Sequence, residues 1–213
     1  MLLKMLSEAD KRHFLDLADL LIMADKPLLW EGKTSDEVTS DTDLDELTIE
    51  ESEQDRELMA ELENSAGIQR GGGGFRSALT LPEIMKQKRM SQFTSSSNAN
   101  RSYTEIMTRV VEVLKTHPLM KMEKPETRLQ AATSVLMGLL ESKKYELLST
   151  PKIVLFELLL VALRDGHISS TESVLLKQFQ QYYQLEDFIY DDLLERAEVL
   201  NQEMSKTIAI ILE

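Results

Sequence analysis

The run IVLFELLLVAL, Ile153 to Leu163, constrains this chain more than any other stretch. It is apolar on nearly every side at helical spacing, so in water it needs other apolar faces all round it. Glu157 interrupts it, and it is too short to cross a bilayer. The run therefore predicts the buried centre of a helical bundle. Thr150-Pro151 predicts where this helix begins, because proline is favoured at the first helical position.

Helices able to supply those faces are legible on both sides. Phe14, Leu17, Ala18 and Leu21 make a stripe on a helix expected from about Glu8 to Ala24, with Ser7 as its N-cap and Lys26-Pro27 as its stop. After an acidic loop to about Leu47, Leu58 and Leu62 mark a second helix ending near Ala66-Gly67. Tyr103, Ile106, Met107, Val110, Val111 and Leu114 follow the i, i+3, i+4 rule. A helix from about Pro125 to Ser142 presents Leu129, Ala132, Leu136, Leu139 and Leu140. Leu175, Phe179, Tyr182 and Tyr183 line the next; Ile189, Leu193, Ala197, Leu200 and Met204 line the last. His117-Pro118 reads as a helix stop, and no segment reads as a strand. The expected fold is all-α, a compact bundle of about seven helices.

Two low-complexity pieces, GGGG (Gly71 to Gly74) and SSSNAN (Ser95 to Asn100), bracket LTLPEIMKQKRM. Four consecutive glycines repay their ordering entropy poorly, so 65–101 reads as a flexible linker with a short basic helix at its centre. It joins an N-terminal half, 1–64, to a C-terminal half, 102–213, and the two halves are expected to pack as one domain. Leu79 to Met90 combines apolar residues with cations, which suits docking on anionic lipid, on a partner groove, or on the chain's own acidic region. The last of these is favoured, because Glu31 to Glu63 is near in sequence and opposite in charge.

Charge and composition exclude several function classes. Net charge is −13, and fourteen acids between Glu31 and Glu63 face only Lys33 and Arg56. Such acidity argues against a nucleic-acid role, which needs cation density. It suits divalent cations, basic protein partners or plain solubility. Cysteine is absent, which removes disulfides, thiolate metal sites and cysteine nucleophiles; only His13, His117 and His167 offer imidazoles. The apolar start, MLLKML, is too short for a signal peptide, and a soluble cytoplasmic protein is expected. Neither a phosphate-binding glycine loop nor a catalytic triad is present, so no enzyme is expected.

The stretch DGHISSTE, Asp165 to Glu172, has the look of half a calcium loop. With Asp165 at loop position 5, Gly166 and Glu172 fall correctly, but positions 1 and 3 become Val161 and Leu163, which cannot coordinate calcium. Helix-end chemistry explains much of it instead: Gly166 suits a left-handed C-cap, and Ser169-x-x-Glu172 is a capping box. Asp165 stands either as a surface turn residue or as a ligand. A second acidic stretch, Asp41, Asp43 and Asp45, opens like a calcium loop but has Glu46 where glycine is needed and Ser52 at position 12.

An echo lies in the other half. LADLLIMAD ending at Asp25 parallels FELLLVALRD ending at Asp165, and LTIEES, with Thr48 as cap and Glu51 three residues on, parallels ISSTES. Each half thus shows an apolar helix ending in Asp, a loop, and a capped helix with an acid in its first turn, which suggests a duplication. These features resemble the TerB-like tellurite-resistance family, on VALRDGHISSTESVLLKQF and, with a long insertion, on LIMAD and LTIEESEQDREL. The resemblance implies a bundle of two pseudo-symmetric halves, with acidic residues at the loops where relatives are thought to hold a divalent metal. Carried over by position, the candidate ligands are Asp165 and Glu172 in the second half and Asp25 and Glu51 in the first. Calcium, magnesium, manganese or zinc would be the cofactor, His167 lies beside the acids, and the role would be in stress response or complex assembly. The alternative is a metal-independent adaptor that recruits proteins through its acidic surface and basic linker.

Overall fold

The computed structural model describes residues 2–68 and 101–212. Apart from its first four residues and its last, the linker expected over 65–101 lies outside the described residues, as does the segment 79–90. The fold is an all-α bundle with one small two-stranded ribbon. A 3-10 turn at Leu2–Met5 is followed by α1 (Glu8–Met23), β1 (Leu28–Trp30), β2 (Leu47–Ile49) and α2 (Glu53–Ala66). The second part holds α3 (Arg101–Leu114), the short α4 (Leu119–Met122), α5 (Pro125–Ser142), α6 (Thr150–Ala162), α7 (Ser170–Tyr182) and α8 (Asp187–Leu212).

As its apolar run demands, α6 is the centre. Val154, Leu155, Leu158, Leu159 and Ala162 are buried in it, and α1, α7, α8 and the first 3-10 turn pack round it. Its first helical residue is Thr150 and Pro151 is the second, one place on from the expected start; both satisfy proline's need for a position whose N–H is orphaned. In α1 nearly every residue from His13 to Met23 is buried, because α3, α5 and α6 all pack against it. Its start is fixed by Ser7, whose Oγ accepts the Asp10 N–H at 3.2 Å.

Two expectations are corrected. Leu28-Leu29-Trp30 and Leu47-Thr48-Ile49 form an antiparallel ribbon, with Leu28 opposite Ile49 and Trp30 opposite Leu47. Leu28, Trp30, Leu47 and Ile49 are buried, and the second strand lies against α3, so the acidic loop is pinned at its base by apolar burial. The other correction concerns α8. Tyr190 and Ala197 are buried, but Leu200 and Met204, expected to line this helix, are 42% and 56% exposed. Asn201 is the last partly buried residue described on it, and its amide donates to the Leu163 carbonyl at 2.8 Å. Past that point the described side chains of α8 are all exposed up to Ile211.

Candidate functional site

The site is built where the ends of α1 and α6 meet the start of α7. After Ala162 the central helix tightens into a 3-10 turn, Leu163–Asp165, and stops at Gly166, whose φ of 85° only glycine adopts without strain. Ser169 then caps α7 through the expected box: its Oγ accepts the Glu172 N–H at 3.1 Å, and Glu172 Oε2 accepts the Ser169 N–H at 2.8 Å. The same Ser169 hydroxyl donates to Asp25 Oδ2, from the other end of the sequence. Val161 and Leu163 are buried, in keeping with their exclusion as ligands.

Three of the four candidate acids therefore share one corner. Asp25 and Asp165 are exposed, and Glu172 is half-buried between them and the bundle. Burial pushes the Glu172 carboxyl above the ordinary range; the Ser169 hydrogen bonds pull it back, and the negative fields of Asp25 and Asp165 push it up again. Glu172 thus resists being charged where it stands. On the far side of Asp25, Arg128 donates to the Ala24 carbonyl at 3.2 Å and to the Lys26 carbonyl, which holds the end of α1 against α5. The Asp25 charge acts on that guanidinium too.

Glu51 is placed differently. Its carboxylate pairs with Arg56 Nε at 2.9 Å, and Thr48, expected to cap α2, lies in β2. The true cap is Ser52, and its box partner is Asp55: Ser52 Oγ donates to Asp55 Oδ2 at 2.6 Å and accepts the Asp55 N–H at 3.1 Å. Asp55, not Glu51, is thus the structural counterpart of Glu172. Unlike Glu172 it has a cation, Lys26 Nζ at 2.9 Å. Burial alone would raise Asp55, but the bonds from Ser52 and Lys26 outweigh it and hold the carboxyl below the usual range. Sequence reasoning missed Asp55, Lys26 and Arg128. The signal for the first was Ser52-x-x-Asp55, which fits the cap pattern as well as Thr48-x-x-Glu51 does, behind a run better suited to a strand.

Among the described residues, no three His, Asp or Glu side chains are gathered closely enough to surround an ion. Asp41 and Asp43 turn to their own loop, accepting from the Ser40 hydroxyl at 3.1 Å and from the Asp45 N–H at 2.9 Å. His167 is exposed and its Nδ1 lies 3.4 Å from the Asp165 carbonyl oxygen. No helix among the described residues is long and apolar enough to cross a membrane. In comparisons with family models, with curated proteins and with solved structures, none matches this chain.

Proposed function

We propose that this chain is a non-enzymatic, TerB-like helical module for stress response or complex assembly, whose acidic corner takes a divalent cation that ties its two halves together. The observation that carries this reading is the meeting of Asp25 with Ser169 and Glu172, across 144 residues of chain. Asp25 and Asp165 both disfavour the charge on Glu172, and a cation would relieve that effect. The donors are carboxylate and hydroxyl oxygens, which suit calcium, magnesium or manganese; zinc favours nitrogen and sulfur. These carboxylates are not gathered closely enough to enclose a stripped ion, so the cation would be held through its own water, as magnesium often is.

Calorimetric titration with calcium, magnesium, manganese and zinc tests this. Heat is expected from the first three on the wild-type chain and its loss on Asp165→Asn/Glu172→Gln; no heat from any of the four ends the cation reading.

A second reading, a metal-independent adaptor, is favoured by one observation of its own. Val199, Leu200, Met204, Ile208, Ile210 and Ile211 leave a long apolar strip exposed on α8, more than scattered surface residues explain. Leu200→Glu/Met204→Glu should then abolish partner capture while cation binding is unchanged.

A further inference from the structure

Between α6 and the middle of α8 lies an open cleft of about 430 Å³. Phe156, Val199 and Leu200 give it an apolar lining, and Asp192, Glu195 and Glu203 give it an acidic rim relieved by Arg196. A ligand that fits must therefore offer apolar side chains flanked by positive charge.

We infer that the occupant is this chain's own segment Leu79 to Met90, docked in the α6–α8 cleft. The inference is independent of the cation reading. Its first support is charge and pattern together. Leu81, Ile84 and Met85 recur at i, i+3, i+4, and Lys86, Lys88 and Arg89 follow, with Glu83 the segment's one acid. Thr80-x-x-Glu83 is itself a helix-start pattern. The acidic stretch Glu31 to Glu63, the nearer electrostatic choice, matches the charge but not the rest: Leu44 is its one exposed large apolar side chain. Of these two described surfaces, the cleft matches both.

Reach is the second support. Ten residues separate Ile68 from Leu79 and ten separate Met90 from Arg101, so each arm spans up to roughly 35 Å. A folded body of this size has a radius of gyration of about 16 Å. The element the segment leaves is joined to α6 through a single turn: α2 packs on Leu2–Met5, and that turn is held on α6 by the Leu2 N–H to Glu157.

A second copy of the chain is the poorer occupant. A two-fold pairing of α8 on α8 sets the same surface against itself. Asp191, Asp192, Glu195, Glu198 and Glu203 would face their own kind, against only Arg196 and Lys206.

The absence of cysteine makes the test clean. Ile84→Cys is combined either with Val199→Cys in the cleft or with Asp43→Cys on the acidic loop, both exposed positions, in the full chain under mild oxidation. The Ile84/Val199 pair is expected to close within one molecule, independently of protein concentration, about tenfold faster than the Ile84/Asp43 pair. Lys86→Glu/Lys88→Glu/Arg89→Glu should remove that advantage, and adding Asp192→Lys/Glu195→Lys should restore it. Equal rates for the two pairs, faster closure to Asp43, or disulfide dimers growing with concentration would each overturn the inference.

Discussion

The hydroxyl of Ser169 takes the Glu172 amide proton at 3.1 Å and gives its own to Asp25. One side chain therefore caps α7 and ties it to the end of α1. Ser169→Ala should cost about 1 kcal/mol, the typical loss of an N-cap. Ser170→Ala, one residue on and exposed, should stay within about 0.5 kcal/mol, as surface changes do. Urea unfolding of the two variants checks this. His13 gives the residue scale its pH dependence. It is buried under α5, with Nε2 3.0 Å from the Leu139 carbonyl oxygen, which makes Nε2 the donor, and Nδ1 2.7 Å from the Tyr145 hydroxyl. Burial holds its pKa below the ordinary 6.5, with the Leu139 bond and the charges of Asp16 and Asp10 opposing and Lys143 assisting. The unfolded chain therefore binds the proton first. This contribution is complete above pH 6.5 and is lost as pH falls from there through the lowered folded value. Glu157 and Glu172, raised chiefly by burial, act the other way: acidification towards 4.5 relieves the cost of keeping them charged. His13→Gln should lower stability overall, through its lost bonds to Leu139 and Tyr145, and its stability profile should lack the downward limb that begins near pH 6.5 in wild type.

At the scale of elements, what could be read from the sequence depended on how local its cause was. The α6 run, the Ser7 and Ser169 caps and the Gly166 stop are local, and all were legible. The ribbon was not: a three-residue strand has no period to detect, and Leu47-Thr48-Ile49-Glu50-Glu51 also fits a cap. That misreading put Glu51 where Asp55 belongs. The stripe Leu193, Ala197, Leu200, Met204 is continuous in sequence, yet where the bundle stops supporting it depends on the length of α6 and the reach of Asn201. A chain ending at Ser205 should accordingly unfold within about 0.5 kcal/mol of the full chain, since exposed apolar residues bring little folding energy. Ala197→Asp, which puts a charge at a fully buried position, should cost about 3 kcal/mol or more. Thermal unfolding of both distinguishes a supported stripe from a free one.

For the whole molecule, the central relation is between two distant parts of the chain that meet in one acidic corner. Asp25, Asp165 and Glu172 were all legible through the repeat, because each follows or opens a helix of the same pattern. The cations that shape the corner were not, since Lys26 and Arg128 act through Asp55 and through the carbonyls of Ala24 and Lys26. First-half and second-half corners also differ: Asp55 has its charge partner in Lys26, while Glu172 is pushed up by two acids. A cation bound between the halves, as proposed, would stabilise the folded chain by about 1.4 kcal/mol at ten times its dissociation constant, a shift of roughly 3–5 °C in melting temperature for a domain of this size. The direct measurement is melting temperature against magnesium concentration at constant ionic strength, for wild type, Asp25→Asn and Glu172→Gln. The cation reading predicts a rise for wild type that either substitution alone removes, because each half supplies a needed charge; a flat wild-type curve, or an equal rise in all three proteins, would contradict it.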